Sequence, residues 1–112
     1  MDTQQLSQAV MSVLETYAKL TDPHDAIQPK TIFDLNNLRF QLLKHGWKEG
    51  KRYFYTVAYL DIKEGAVWVQ EDNTEVGIAN LLLEQDVPKQ QIVLGFQPPE
   101  YRKYTDFNPS AA

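Results

Sequence analysis

The chain of 112 residues contains no cysteine, and only two histidines, His24 and His45, occur in it. The absence of cysteine excludes a disulfide framework, a thiolate metal site and a cysteine nucleophile. Neither histidine lies beside a recognisable nucleophile signature, and a zinc site needs a His/Cys cluster that the sequence does not contain. The sequence therefore predicts no catalytic residues, no bound metal and no cofactor.

Long apolar runs are also missing. No segment approaches the roughly 20 apolar residues that a membrane-spanning helix needs. The first five residues, Met-Asp-Thr-Gln-Gln, lack the basic start of a signal peptide. We therefore expect a cytoplasmic protein without a membrane partner.

The composition is that of an ordinary globular protein, with 43% hydrophobic and 23% charged residues. A chain of this length can bury one core, so we expect a single domain over residues 1–112, with a frayed tail over 108–112. The net charge of −4 and the pI of about 5.0 are unlike those of proteins that bind nucleic acid by neutralising phosphates. Direct nucleic-acid binding is therefore not the expected activity.

The charges are distributed unevenly along the chain. Lys44, Lys48, Lys51 and Arg52 gather around a predicted turn and are opposed locally only by Glu49. Residues 61–86 carry seven acidic side chains and one lysine. The four basic residues are candidate nucleic-acid contacts, and the asymmetry favours steering of a complementary partner. The alternative is that both groups are solvated faces that keep the domain soluble.

The strongest local pattern lies in residues 52–70, where two runs of aromatic and β-branched residues flank Lys63-Glu64-Gly65. This pattern is typical of a tight β-hairpin. Alternation in the first run places Phe54, Thr56, Ala58, Leu60 and Ile62 on the core side. It places Tyr53, Tyr55, Val57, Tyr59 and Asp61 on the other side.

Tyr53, Tyr55 and Tyr59 are the candidate partner-binding residues, because tyrosine combines apolar area with a polar tip and is enriched at protein interfaces. Two alternatives remain open for this tyrosine side of the hairpin. It could be a second core face, or a stacking platform for single-stranded nucleic acid, which would need a surrounding basic groove.

The remaining elements follow from hydrophobic periodicity and from proline and glycine positions. A helical stripe starts after Asp2 or Thr3 and ends near Leu20, and a second helix ends at Val87-Pro88. Short strands are predicted over residues 30–34 and 91–96, and a single helical turn over 100–104.

A phase slip at Leu42-Leu43 predicts a β-bulge, which would turn Leu43, His45 and Trp47 inward. The expected fold is α+β: an N-terminal helix, a four-stranded antiparallel meander, a second helix packed on the sheet, a fifth strand and a short C-terminal helical turn.

A metal-dependent nuclease is the alternative that assigns an enzymatic role. Such enzymes place an acid on one strand and an acid-x-Lys motif on the next, so that carboxylates hold Mg²⁺. Asp34 could pair in this way with Glu49 and Lys51, or with Asp61 and Lys63. Glu49 lies at a turn glycine and Lys63 also lies at a predicted turn, which favours hairpin tips over a buried metal site.

Several ordered blocks of the chain resemble a known family. They are Ile32-Phe33-Asp34, Gly46-Trp47, residues 61–70, Thr74-Glu75, Ile78-Ala79, Val87-Pro88-Lys89, residues 92–96 and residues 102–107. Together they resemble the XisI family, the cyanobacterial fdxN element excision controlling factors. The chain departs from the family pattern at Ala66, where a basic residue is expected, at Asp86, where a helix-ending glycine is usual, and in the tail after residue 107.

The resemblance implies a non-enzymatic accessory factor in recombinase-driven removal of a DNA element during heterocyst differentiation. It also implies a companion protein, XisH, and no catalytic residues can be carried over from the family. Because the chain is acidic, we expect binding to a protein partner rather than to DNA. Docking or self-association through the tyrosine side of the hairpin or the sheet edge is the expected mode.

Overall fold

Five strands form one mixed sheet in a computed structural model that describes residues 1–110. The strands are β1 (Ile27–Asp34), β2 (Arg39–Lys48), β3 (Lys51–Lys63), β4 (Ala66–Asp72) and β5 (Ile92–Leu94). The helices are α1 (Thr3–Ala18), α2 (Ile78–Glu84) and α3 (Pro99–Arg102), and a 3-10 turn spans Lys89–Gln91. The spatial order follows the chain order; β1 to β4 are antiparallel neighbours, and β5 is parallel to β4. The predicted α+β fold is confirmed.

Helix α1 begins with a capping box. The Asp2 side chain accepts a hydrogen bond from the Gln5 backbone N–H at 2.8 Å, and the Gln5 side chain accepts one from the Asp2 N–H at 2.9 Å. The stripe that contains Leu6, Val10 and Leu14 is fully buried, so this face of the helix packs on the sheet. No helix within residues 1–110 has the length and apolar character that crossing a membrane requires.

The main core lies between α1, α2 and one side of the sheet, which we call the helix face. Its strand residues include Phe40, Leu42, Leu60, Val67 and Val69, all fully buried. On the opposite side of the sheet, which we call the open face, residues 1–110 form only a smaller buried cluster of Ala66, Trp68 and Val93.

The C-terminal segment covers one end of the open face. Arg102 lies with its guanidinium 5.1 Å from the centre of the Trp68 ring and donates to the carbonyls of Gly95, Gln97 and Ser110. The predicted frayed tail includes Asn108, whose backbone N–H donates to Ile92 at 2.9 Å. Residues 111 and 112 lie outside the described residues. Cation–π contact and hydrogen bonds thus attach this segment to the sheet.

A bulge in β3 decides which side chains face the helices. The β2–β3 register shifts between Leu42 and Leu43, so the predicted irregularity is confirmed, but the extra residue, Val57, is on β3. Val57 and Ala58 are both buried in the helix-face core. Because a one-residue slip exchanges the two faces, alternation is inverted for the residues before the bulge.

Helix α2 ends in a Schellman motif. The Val87 N–H donates to the Leu82 carbonyl at 3.1 Å, and the Asp86 N–H donates to the Leu83 carbonyl at 3.0 Å. Asp86 has a φ of 65°, the left-handed conformation that glycine adopts most easily. The helix therefore terminates cleanly at the position where the family resemblance leads us to expect glycine.

Candidate functional site

The outer parts of β2 and β3, residues 43–56, form a two-stranded ribbon that we call the arm. Strand β3 has 13 residues, which at about 3.4 Å per residue gives roughly 44 Å. Helix α1 has 16 residues and at 1.5 Å per residue is only about 24 Å long. The helices are therefore too short to cover the whole hairpin, and the arm carries several exposed aromatic side chains.

The tip of the arm is a two-residue turn at Glu49-Gly50, between the paired residues Lys48 and Lys51. Glu49 has a φ of 53° and Gly50 a φ of 76°. Positive φ at both central residues is the requirement of a type I′ turn, whose twist matches that of the strands. The turn fixes the register of the arm and hence the face on which each side chain lies.

The open face of the arm carries an aromatic cluster of His45, Trp47, Arg52 and Phe54. Trp47 and Phe54 are each 64% exposed. The Arg52 guanidinium lies 5.7 Å from the Trp47 ring centre and 5.8 Å from that of Phe54, and the His45 and Phe54 rings are 6.0 Å apart. These contacts hold two large apolar side chains side by side at the surface.

His45 and Trp47 were predicted to turn inward to a core, and Phe54 was predicted to belong to the core. These predictions are wrong for Trp47 and Phe54, because both side chains are exposed. Leu43 is buried, with 4% of its surface exposed, but it lies opposite Thr56 on the open face and not on the core side that was predicted. The physical reason is the Val57 bulge, which places Phe54 opposite His45 on the open face.

The opposite face of the arm carries Tyr53 and Tyr55. Tyr55 pairs with Lys44, and the Lys51 ammonium lies 5.2 Å from the Tyr53 ring centre. Tyr55 is 44% exposed. Two of the three predicted partner-binding tyrosines therefore share one face of the arm.

Tyr59 does not share that face. It lies on the other side of the bulge and pairs with Gln41 in β2 and Glu71 in β4, which places it on the open face. The prediction of one continuous tyrosine surface is thus wrong, because the extra residue at Val57 interrupts the alternation between Tyr55 and Tyr59. Val57 itself was expected on the tyrosine side and is buried in the core.

The four predicted basic contacts are also divided between the two faces. Lys44, Lys48 and Lys51 share the face of the arm that carries Tyr53, whereas Arg52 lies in the aromatic cluster on the open face. The arm as a whole is basic, while most acidic residues lie in the rest of the chain. Its field favours an acidic binding partner.

The carboxylates of the nuclease hypothesis do not form a metal site. Asp34 and Asp61 lie in one cross-strand row with Arg39 between them, and Glu49 is at the tip of the arm. Among residues 1–110, no group of three potential acidic, histidine or cysteine ligands converges. The geometry that this hypothesis requires is therefore not present.

Asp34 has a structural role in the β1–β2 turn. Its carboxylate accepts hydrogen bonds from the Asn37 side chain at 2.8 Å and from the backbone N–H groups of Asn37 and Asn36. These bonds, that of the Asn37 side chain first, hold the pKa of Asp34 below its ordinary value of 3.8. His24, one of the two histidines of the chain, is exposed in the loop before β1.

An apolar groove of about 370 Å³ lies between α1 and α2 and is lined by Val13, Tyr17, Leu20, Val76 and Leu81. Glu75 and Glu84 are among its other lining residues, and the lining includes no histidine or serine.

Sequence reasoning missed the aromatic cluster, although one signal for it was present. The long β-rich run that begins at Arg52, preceded by the turn Glu49-Gly50, is longer than α1 can cover. Part of the hairpin therefore had to project, and its aromatic residues had to be exposed on both sides.

Comparison with known proteins agrees with this fold. The family model described as XisI protein matches residues 1–108. A crystal structure of a XisI-like protein from Anabaena variabilis is 32% identical, with a TM-score of 0.82, and the match covers 90% of this chain and 93% of that one.

A second crystal structure, of the fdxN element excision controlling factor XisI from Anabaena variabilis, is 26% identical with a TM-score of 0.81. That match covers 96% of this chain and 97% of the other. No curated protein matches the chain in sequence. The family match spans nearly the whole chain, and the chain therefore belongs to the XisI family.

Proposed function

We propose that this protein is a non-enzymatic controlling factor for excision of a DNA element, and that it acts by binding a XisH-like companion protein through the aromatic cluster of the arm. The observation that carries the proposal is the exposure of Trp47 and Phe54 beside Arg52 on a projecting ribbon. Family membership and the name of the second structure supply the context of DNA element excision.

The cluster has the composition of a binding hot spot. Tryptophan, tyrosine and arginine dominate such sites, and burying one of these side chains in a partner pocket contributes about 2 kcal/mol or more. Because Arg52 already stacks on both rings, little side-chain entropy remains to be lost when a partner binds. The exposed aromatic area is therefore suited to docking.

The charge of the arm defines the complementary surface. The arm carries Arg52 within the aromatic cluster and three lysines on its opposite face, against one acidic residue, Glu49. The companion surface is accordingly an apolar pocket with acidic residues at its rim. Association accelerates at low salt, because the basic arm and the acidic rim attract each other over about a Debye length.

Copurification tests the proposal. The tagged chain is coexpressed with the XisH-like protein, and the wild type retains it on the affinity resin. The double variant Trp47→Ala, Phe54→Ala loses it. Tyr104→Ala is the matched control, because Tyr104 is 76% exposed and lies outside the arm.

A separate Tyr55→Ala variant reports on the other face of the arm. Loss of the companion in Tyr55→Ala, with retention in the double variant, would transfer the docking surface to Tyr53 and Tyr55. Retention in every variant would refute docking through the arm.

A second candidate function is direct DNA binding by the arm, favoured by the placement of Lys44, Lys48 and Lys51 on one face with Tyr53. Three phosphate contacts predict that the logarithm of the affinity falls with the logarithm of the salt concentration with a slope of about −3. Fluorescence anisotropy with duplex and single-stranded DNA measures this slope. Absence of binding at low salt would refute this second function.

A further inference from the structure

The two edges of the sheet differ in protection. At β5 the C-terminal segment contributes backbone contacts, with Asn108 donating to the Ile92 carbonyl at 2.9 Å. Strand β1 is the other edge, and within residues 1–110 it pairs only with β2. An unprotected edge strand is a template for pairing with another chain.

The backbone groups that β1 presents to the outside follow from the ladder. The Ile62 N–H donates to the Leu38 carbonyl at 3.0 Å, so alternate residues of β2, beginning with Phe40, bond to β3. Gln41 and every second residue of β2 from it therefore form backbone hydrogen bonds to β1, where Gln41 pairs with Ile32. It follows that the N–H and C=O groups of Thr31 and Phe33 point outward from the sheet.

Pro29 has the same outward orientation as Thr31. The proline nitrogen, which has no hydrogen to donate, therefore lies on the free edge, where proline is tolerated. No hydrogen bond from another segment of residues 1–110 reaches the outward backbone groups of Thr31 or Phe33. The first half of the edge is thus blocked by Pro29, and the second half, up to Asp34, is available.

The available half is complementary to itself. In antiparallel pairing of two copies about a twofold axis at Ile32, Thr31 of one copy faces Phe33 of the other. This register gives four backbone hydrogen bonds without using Pro29. It also places Lys30 opposite Asp34 twice, with the two Ile32 side chains meeting on the open face.

Other registers are less favourable. A pairing centred on Lys30 places two lysines opposite each other and brings Pro29 into the ladder. A pairing centred on Thr31 leaves Lys30 opposite Ile32 and also uses Pro29. The charges therefore select the register centred on Ile32, whose side chain is 46% exposed in the single chain.

We propose that the β1 edge is a self-association surface, on which a second copy of this chain pairs antiparallel about Ile32 to form a dimer with one continuous ten-stranded sheet. The interface is isologous, as in most symmetric dimers. It is separate from the aromatic cluster, so Trp47→Ala with Phe54→Ala leaves the dimer intact. Failure of companion binding and failure of dimerisation can thus be distinguished.

Disulfide trapping tests the register, because the chain has no cysteine of its own. In the proposed dimer the two Ile32 positions form a non-hydrogen-bonded pair with Cα atoms about 4.5 Å apart, within disulfide range. Ile32→Cys therefore cross-links rapidly under mild oxidation. The two Lys30 positions are about 14 Å apart along the strands, so Lys30→Cys remains monomeric on a denaturing gel. Lys19→Cys, an exposed position on the C-cap of α1, gives the rate of random collision.

Sedimentation velocity over a concentration series up to millimolar tests the dimer itself. The wild type sediments as a dimer, Lys30→Glu raises the dissociation constant by about tenfold, and Thr31→Pro is monomeric because it loses the outward N–H. Lys89→Glu, a charge reversal outside β1, leaves the dimer intact. A monomeric wild type at the highest concentration, or cross-linking of Ile32→Cys no faster than that of Lys19→Cys, would overturn the proposal.

Discussion

Truncation of Phe54 compared with truncation of Phe40 tests the assignment of the two sheet faces. Phe40 is 0% exposed on the helix face, and a buried Phe→Ala change costs about 3–5 kcal/mol through lost burial and the remaining cavity. Phe54 is 64% exposed, so only about a third of its surface is buried. Since full burial of a Phe side chain contributes about 1.5–3 kcal/mol, Phe54→Ala costs about 0.5–1 kcal/mol.

Urea unfolding followed by far-ultraviolet circular dichroism measures both costs. The midpoint shifts while the slope m stays constant, as expected when stability changes without a change in the surface exposed on unfolding. A free-energy loss for Phe54→Ala equal to that for Phe40→Ala would contradict the bulge at Val57 and the exposure of the aromatic cluster.

Three further predictions concern stability. Asp86→Gly raises the free energy of unfolding by about 1 kcal/mol, because glycine removes the strain of a left-handed residue at the end of α2. An unchanged or lowered midpoint in thermal unfolding would contradict this prediction. Gly46→Ala lowers the free energy of unfolding by about 1–3 kcal/mol in urea titrations, since an added Cβ would clash with the Ala26 carbonyl oxygen. A neutral effect would contradict that close approach. Asp34→Asn has a lower free energy of unfolding than the wild type at neutral pH. This difference in free energy disappears as the pH falls below 3.8 through the lowered pKa of Asp34. A difference that grows with acidity would contradict the hydrogen bonds of the turn.

Much of the fold could be predicted from local chemistry. The apolar stripe of α1 and its cap at Asp2 are contained in adjacent residues, and the turns at Gly50 and Gly65 follow from their position between β-rich runs. The end of α2 could be placed at Val87-Pro88 by proline chemistry, although the left-handed Asp86 had no signal beyond its contrast with the family pattern.

The faces of the arm could not be predicted in the same way. A bulge adds one residue within a strand and leaves no composition signal at Val57, yet it exchanges the faces of every residue on one side of it. The error therefore affected Phe54 and Tyr55 together, whereas Tyr59, on the other side of the bulge, lies on the face opposite to Leu60 as predicted. The length of β3 relative to that of α1 indicates that an arm projects, but it does not indicate which aromatic residues the arm exposes.

The edge character of β1 likewise required the topology. Pro29 indicates an edge strand only when the topology shows that its nitrogen, which carries no hydrogen, faces away from β2. The burial of Arg102 against Trp68 likewise depends on a contact between residues far apart in sequence. Local patterns predict elements, whereas the partners of each element are set by the assembled sheet.

Isothermal titration calorimetry of the XisH-like companion with this protein tests the central claim most directly. The account predicts that Trp47→Ala combined with Phe54→Ala weakens binding by about 30-fold or more, corresponding to the loss of about 2 kcal/mol, while Tyr104→Ala changes it by less than about threefold. Equal affinities for the wild type and the double variant, or no binding of the companion to the wild type, would contradict it.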